Sequence, residues 1–341
     1  MNTKTEIKMK KTIFLLLLIS LQISAQVSKT NSFFDNLESK EYSLNNILIE
    51  GEVFEPGIVD LTSLPLCSFP GKDLSFQNNK NKFIGSYYYY GYSLYDILNQ
   101  KLVKKANEEE FKPYVDLYLI VENDKGEKAV FSWGEIFYSK DNLKTIITKS
   151  VRAINPSKMK MKWELPNESR LVCGYDAFNF RSISNPTKII VKSFAGNYSK
   201  EKIKNVFSPE ILVLKGSEKI VIQDAAGFEK REFRGIGFGH GMGWKGIDIV
   251  EGFVFKNVLM NKVNIDLKEI GTAIVCASAK DGYRVTFSLS EIINRNDMND
   301  FLLIEKNGAE DNGKFNLFAT PDFFVDRNVR SVEKVEIVNV K

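Results

Sequence analysis

The sequence predicts an α+β fold in which two diverged tandem copies of one domain combine mixed sheets with short helices. Three blocks support this prediction, because they recur in the same order in both halves at separations of 155, 156 and 146 residues. Self-similarity at a nearly constant separation is typical of a repeated structural unit. We place copy 1 at residues 40–195, a linker at 196–209 and copy 2 at 210–341.

Residues 1–25 have the pattern of an export signal. Four lysines precede an apolar run from Thr12 to Leu21, and small residues lead to an expected cleavage site between Ala25 and Gln26. The run is about ten residues long, short of the roughly 20 that a membrane-spanning helix needs. We therefore expect an exported protein, periplasmic or extracellular, with no membrane span in the mature chain.

Charge and cysteine content argue against several classes of function. Loss of residues 1–25 removes four Lys and one Glu, which lowers the net charge from +4 to +1. A surface that follows nucleic-acid phosphates needs an excess of positive charge, so no nucleic-acid partner is expected. Cys67, Cys173 and Cys276 have apolar flanks and no metal-ligand spacing. We interpret them as buried side chains and expect no metal site.

The first block predicts a strand end, a glycine turn and a short helix. Tyr90–Leu98, with Gly91, matches Lys245–Glu251, with Gly246, at a separation of 155. The tyrosine run that leads into the first of these, Ser86–Tyr92, is predicted to be a strand. Alternate tyrosines would then lie in the core and at a solvent-facing rim. An aromatic binding surface is the alternative interpretation.

The second block predicts a β-hairpin followed by a capped helix. Gly126–Ile136 and Gly282–Ile292 share Gly, Phe, Ser, Glu and Ile at a separation of 156. In both copies alternating apolar residues precede a turn that ends in glycine, as in a hairpin. Ser132 and Ser288 each stand three residues before a glutamate, and this pattern predicts a capping box at a helix N-terminus.

The third block closes each copy. Asp176–Ile183 matches Asp322–Val329 at a separation of 146, which is ten less because copy 1 has a longer insert before this block. Within that insert we predict an exposed strand over residues 157–163, where Lys alternates with apolar residues. The predicted opening and closing strands are Ile47–Val53 and Lys188–Val191 in copy 1, and Glu210–Leu214 and Lys334–Ile337 in copy 2.

Four short motifs carry a resemblance to a known family. They are Gly51-Glu-Val followed by Pro56–Leu64, the Tyr90–Leu98 block, Ala279–Tyr283, and Asp322 with Arg327 and Val332–Ile337. In this order they resemble the molybdopterin-binding domain of sulfite-oxidase-type oxidoreductases, particularly its short stand-alone relatives. The resemblance covers about residues 47–192 and 210–338. It implies a sulfite-oxidase-like fold for each copy.

The same resemblance implies a molybdenum cofactor that is held by a cysteine thiolate just before the first block. Copy 1 has Lys72–Gln77 at that place and copy 2 has Glu229–Arg234, and neither contains cysteine. The paired arginines that follow this cysteine in sulfite oxidases are also missing. We therefore expect a non-catalytic binding or interaction protein without molybdopterin. The alternative is a molybdopterin-dependent periplasmic oxidoreductase in which Cys276 supplies an atypical thiolate.

The candidate ligand site lies in copy 2. Residues 234–246 have glycine at every other position and include the only histidine of the chain. Such glycines let a backbone approach a ligand closely and present amides to an anion. The alternatives are a mobile or closely packed loop and a metal site with Met242, although one histidine cannot build such a site alone. The candidate ligand-binding residues are Gly237, Gly239, His240, Gly241, Gly243, Trp244, Asp281, Tyr283 and Arg327. The expected partner is a small ligand or an envelope protein.

Overall fold

The computed structural model describes residues 38–156, 161–198, 206–306 and 313–340. The predicted signal peptide, residues 1–25, and its cleavage site lie outside them. Glu38–Lys341 form one compact unit. The described residues are 48% strand and 12% helix, and their strands form four sheets in a propeller-like, four-bladed arrangement. The prediction of an α+β fold with two tandem sulfite-oxidase-like domains is therefore wrong, and the protein is mostly β.

Each half of the described chain contributes two sheets. The strands of the first half are β1 (Ser39–Glu41), β2 (Asn46–Gly51), β3 (Gly57–Asp60), β4 (Cys67–Gln77), β5 (Lys80–Ser93), β6 (Leu117–Asn123), β7 (Lys128–Ser132), β8 (Thr145–Ala153), β9 (Leu171–Cys173) and β10 (Pro186–Ser193). Those of the second half are β11 (Ile211–Lys215), β12 (Glu218–Ile222), β13 (Lys230–Gly239), β14 (Gly243–Val254), β15 (Ala273–Ser278), β16 (Arg284–Ser288), β17 (Leu302–Glu305), β18 (Phe315–Phe318) and β19 (Lys334–Asn339).

The helices are too short to form a layer of their own. In the described residues the α-helices are α1 (Leu94–Leu98), α2 (Trp133–Phe137), α3 (Phe255–Lys262) and α4 (Leu289–Ile293). Each starts directly after a strand. An α+β fold needs helices that cover a sheet. The sequence signals for helix starts mark only one or two turns at strand ends, so they do not decide the fold class.

The two halves pair their strands in the same order. In the first half one sheet has the order β3-β2-β10-β6-β7, and in the second half its counterpart is β12-β11-β19-β15-β16. The opening strand is parallel to the closing strand in both sheets. The remaining sheets share the pairings β4-β5-β8-β9 and β13-β14-β17-β18, and β1 adds to β8 in the first half. The duplication thus has a counterpart in strand order, whereas the boundaries at residues 40–195 and 210–341 stay a prediction.

Several local predictions are confirmed. The two hairpins are β6–β7 and β15–β16, and the helices after them begin at the predicted Ser132 and Ser288 N-caps. The capping box is complete only at Ser288. In β5 the tyrosines alternate as predicted from Tyr87 to Tyr90, because Tyr87 and Tyr89 are buried while their neighbours are partly exposed. The alternation does not reach Tyr92, which is buried beyond a bulge between Tyr90 and Gly91. Part of the predicted strand at residues 157–163 lies outside the described residues, and the rest forms no strand.

The match of Lys245–Glu251 to a glycine turn and helix is wrong. These residues lie within β14, and α3 begins only at Phe255. The counterpart of Gly91 is Gly252. Each stands two residues before the end of its strand, Gly91 in β5 and Gly252 in β14. A Cβ atom at Gly91 would lie 2.1 Å from the carbonyl oxygen of the next strand, and one at Gly252 would lie 2.9 Å from the next strand's leucine Cβ. These glycines therefore allow close strand packing and do not form turns.

A buried ion network joins the two halves through Arg327. Its Nε donates to Asp322 Oδ2 at 2.7 Å and its Nη1 to Glu291 Oε1 at 3.0 Å, both in the second half. The same Nη1 donates to Ser132 Oγ of the first half at 2.9 Å. The Ser132 hydroxyl in turn donates to Glu291 Oε1 at 2.5 Å. The helix cap of one half is therefore bonded to the carboxylate of the other.

Arg181 makes the reciprocal arrangement. It donates to Asp176 and Glu135 of its own half, each at 2.9 Å, and to Ser288 Oγ of the second half at 3.1 Å. Burial raises the pKa of Glu291 to about 7, which Arg327 opposes. Burial acts in the same direction on Glu135, but Arg181 and Ser288 outweigh it and lower the pKa of that carboxyl. Each of the two buried arginines thus bonds to two carboxylates of its own half and to the helix-cap serine of the other half.

No helix in the described part of the chain is long and apolar enough to cross a membrane.

Candidate functional site

A cleft of about 530 Å³ opens in the second half of the chain. It lies where the β13–β14 hairpin, the β15–β16 turn and the 3₁₀ turn Val325–Arg327 meet. This volume is within the range of small-molecule sites, roughly 300–1,000 Å³. The residues that line it are Val206, Lys245, Ala279, Asp281, Tyr283, Val325, Asp326, Asn328 and Arg330.

The β15–β16 turn supplies one wall. Gly282 has a φ of 82°, a left-handed conformation that glycine adopts without strain. The carboxylate of Asp281 accepts a hydrogen bond from the Tyr283 backbone amide at 3.0 Å, which closes the turn. The Tyr283 hydroxyl donates to the backbone carbonyl of Asp326. Burial, with Asp326 as a second cause, raises the pKa of Tyr283 well above its ordinary value.

The glycine-rich segment forms the tip of a hairpin, and Lys245 of this segment lines the cleft. Gly237 and Gly239 lie in β13, His240 and Gly241 in the turn, and Gly243 and Trp244 at the start of β14. The His240 amide donates to Asp326 Oδ2 at 2.8 Å. The His240 ring packs edge-on against Phe324 with 5.4 Å between centroids, and Phe238 packs against Phe323 and Phe324. The tip is thus tied to the segment that carries Asp326.

Charges of both signs line the cleft. Lys245 and Arg330 are exposed cations, and Asp281 and Asp326 are carboxylates whose positions are set by backbone amides. Such a wall can pair with a negative group and a positive group of one ligand, and hydrogen bonds to ionised groups are stronger than those between neutral groups.

The structure brings some of the predicted site residues together and separates others. Asp281 and Tyr283 line the cleft. The glycines of the hairpin tip and Trp244 are not among the lining residues, and the Trp244 side chain is 72% exposed. Arg327 is fully buried in the ion network, so its guanidinium is committed to carboxylates of the protein. Arg330 and Lys245 were not among the predicted site residues, although Lys245 belongs to the first block and to the glycine-rich segment.

Cys276, the proposed atypical thiolate, does not fit a metal ligand. It lies in β15, fully buried beside Ile120, Val130 and Phe194, and its Sγ is 3.3 Å from the Tyr198 hydroxyl. Burial raises the pKa of the Cys276 thiol to about 12. Metals bind the thiolate, and this side chain stays protonated at neutral pH. Burial also raises the thiol pKa of Cys67 and of Cys173.

Alkylation of the folded protein tests this assignment. We expect iodoacetamide at pH 7.5 to leave Cys276 unmodified in the native state and to modify it fully after denaturation, because only the thiolate reacts and the side chain is buried. Peptide mass spectrometry over time measures the modification, and Cys67, which is partly exposed, is the internal reference. Native Cys276 that reacts faster than Cys67 would contradict the assignment.

The fold and cleft define a mostly β protein with a cleft in its second half that is lined by charges of both signs. The described residues contain no group of three or more His, Cys, Asp and Glu side chains that could hold a metal ion. No protein-family model and no curated protein matches the chain. The resemblance to the sulfite-oxidase-type family therefore stays a prediction.

Proposed function

We propose that this chain is an exported, non-catalytic binding protein whose cleft takes a small zwitterionic ligand, such as a free amino acid or the terminus of a short peptide. The observation that carries the proposal is the cleft itself, which has Lys245 and Arg330 together with Asp281 and Asp326 on its walls. Lys245 and Arg330 would bind the carboxylate of the ligand, and Asp281 and Asp326 its ammonium group. Ligands of this size fit the volume of about 530 Å³.

The lining supports binding better than catalysis. Among the described residues that line the cleft, there is no serine, cysteine or histidine side chain that could act as a nucleophile or as a general base near neutral pH. The hydroxyl of Tyr283 is engaged with a backbone carbonyl, and its raised pKa keeps it protonated. Stoichiometric molybdenum in protein purified from its export route would contradict the proposal and favour an oxidoreductase.

Thermal unfolding in the presence of candidate ligands tests the proposed function. A ligand that binds only the folded state raises the melting temperature according to its concentration and affinity. We expect amino acids or dipeptides to stabilise the protein, and their N-acetyl and amide derivatives to stabilise it less, because each derivative lacks one charge.

Variants of the cleft sharpen this test. Arg330→Met and Asp281→Asn are each expected to weaken binding roughly 10- to 100-fold, since a hydrogen bond to a charged group contributes about 1.5–3 kcal/mol. The Arg330 change should weaken binding of the full ligand and leave binding of its amide derivative unchanged. The cleft is not the site if the N-acetyl and amide derivatives raise the melting temperature as much as the unmodified ligands do and both variants respond to ligand like the wild type.

A glycine substitution in the hairpin tip should act on the cleft through Lys245. A Cβ atom at Gly239 would lie 2.8 Å from Lys245 Cε, whereas one at Gly241 would contact nothing. We therefore expect Gly239→Val to displace the Lys245 side chain and to weaken the affinity for the ligand about tenfold. The ligand should then stabilise the protein less, and the protein should stay folded. Gly241→Val is the matched control and should bind normally. Equal effects of the two changes would show that the tip does not act through Lys245.

A further inference from the structure

A second cavity, which we call the first-half groove, shares no lining residue with the cleft. Its volume is about 690 Å³, within the range of small-molecule sites, roughly 300–1,000 Å³. It lies against β4 and β5 of the first half and also touches one residue of the second half. The lining residues that matter for its chemistry are Lys72, Leu74, Phe83, Ile154, Ala177 and Asn296.

Apolar side chains form much of the wall of the first-half groove. Leu74 and Phe83 are a cross-strand pair of β4 and β5, and Ile154 directly follows β8. Phe83 is 47% exposed, which is unusual for so large an apolar side chain. An apolar ligand that covers this surface would remove it from water and gain binding free energy in proportion to the area covered.

Hydrogen bonds and ring contacts hold this wall in place. The Ser86 hydroxyl and the Trp163 indole Nε1 each donate to the backbone carbonyl of Ile154 at 2.8 Å. The Trp163 ring packs edge-on against Phe83 with 5.2 Å between centroids. On the other side the backbone amide of Ala177 donates to a carbonyl of the second half at 2.6 Å. The groove is thus preformed, and a preformed site loses less entropy when it binds.

One positive charge borders the apolar wall. Lys72 is exposed, and the described residues that line the groove include no other cation and no carboxylate. Lys72 also borders a small cavity of about 30 Å³ that is lined by Asp73 and Asp176. These two carboxylates are paired with Arg170 at 3.1 Å and with Arg181 at 2.6 Å. The charge of Lys72 is therefore not balanced by a carboxylate of the groove.

We propose that the first-half groove binds a carboxylate with an apolar body, such as a medium-chain fatty acid. The carboxylate pairs with Lys72, and the chain lies along Leu74, Phe83, Ile154 and Ala177. A single cation matches a single negative charge. Phosphate sites commonly use arginine forks or the N-terminus of a helix, and the described residues that line the groove supply neither.

Isothermal titration calorimetry with octanoate and octanol tests the proposal. We expect one octanoate to bind per chain. Octanol has the same chain length without the charge and should bind about fivefold more weakly, the upper range for an exposed ion pair. Lys72→Met should weaken octanoate binding by the same factor and leave octanol binding unchanged. Phe83→Ala should weaken binding of both compounds about tenfold, because the apolar contact serves both.

Lys82→Met is the matched control for the lysine variant. Lys82 is an exposed lysine of β5 that does not line the groove, so this variant should bind octanoate like the wild type. Circular dichroism melting curves show whether each variant is folded. Lys72→Met should also keep its thermal response to cleft ligands, so failure here is distinguishable from failure of the proposed function.

Four results would overturn the proposal. The first is a wild-type chain that binds no octanoate at about 1 mM, the limit of weak affinity. The second is equal affinity for octanoate and octanol, or equal octanoate affinity in the Lys72 variant and the wild type. The third is octyl phosphate that binds about tenfold more tightly than octanoate, which would identify a phosphate site. The fourth is loss of octanoate binding in Arg330→Met but not in Lys72→Met, which would place the ligand in the cleft.

Discussion

Arg327→Met is expected to lower the free energy of unfolding by about 3–5 kcal/mol, the usual cost of removing one partner from a buried ion pair. The guanidinium is fully buried and bonds to Asp322, Glu291 and the Ser132 hydroxyl. Methionine has a similar volume but no donor, so two carboxylates would remain in the interior without their cation. Chemical denaturation followed by circular dichroism measures the change.

Arg330→Met is the matched control for this prediction. The residue lies three positions further along the chain at the exposed rim of the cleft, and the substitution is the same. Exposed substitutions of this kind usually change stability by less than about 0.5 kcal/mol. If both variants unfold at the same denaturant concentration, the network does not hold the halves together.

Local structure was predictable where a short sequence specifies its own geometry. The Ser132 and Ser288 caps and the two glycine-containing hairpin turns follow from such signals, and all of them occur in the structure. The fold class was not predictable in this way. A capping pattern shows where a helix begins but not how long it is, and helices of five to eight residues leave the sheets dominant.

The first repeat block shows why a motif can mislead. Gly246 followed by Ile247 and Ile249 has the spacing of a glycine turn and helix, yet the β-branched residues favour a strand, and β14 continues to Val254. The true counterpart of Gly91 lies six residues later, at Gly252. Only strand pairing, which depends on residues far away in the sequence, shows this.

The candidate site was partly predictable for a similar reason. Asp281 and Tyr283 stand out because their turn is a local motif, and they line the cleft. Arg330 has no local signal. Arg327 does belong to a repeated motif, but its repetition reflects the paired ion network, in which Arg181 has the equivalent role. Repetition at this position therefore marks a contact that joins the halves.

Gly134→Val is expected to destabilise both halves at once, by roughly 3 kcal/mol, the upper range for overpacking a core. A Cβ atom at Gly134 in α2 would lie 2.2 Å from Cδ and 2.4 Å from Nε of Arg327, a side chain of the other half that is held in place by the network. The equivalent position of α4 holds Ser290, whose buried hydroxyl accepts from Asn294, so a side chain at this helix position is not excluded in itself.

The shape of the unfolding curve distinguishes a shared core from two separate ones. Because Gly134 belongs to the first half and Arg327 to the second, Gly134→Val should lower the midpoint of a single cooperative transition. Gly241→Val, the same substitution at a glycine with open space around it, should leave that midpoint unchanged. Two transitions, with only one of them shifted, would show that the halves unfold independently and that the ion network is not essential to the fold. One shifted transition would mean that each half depends on the other, which agrees with their single compact unit.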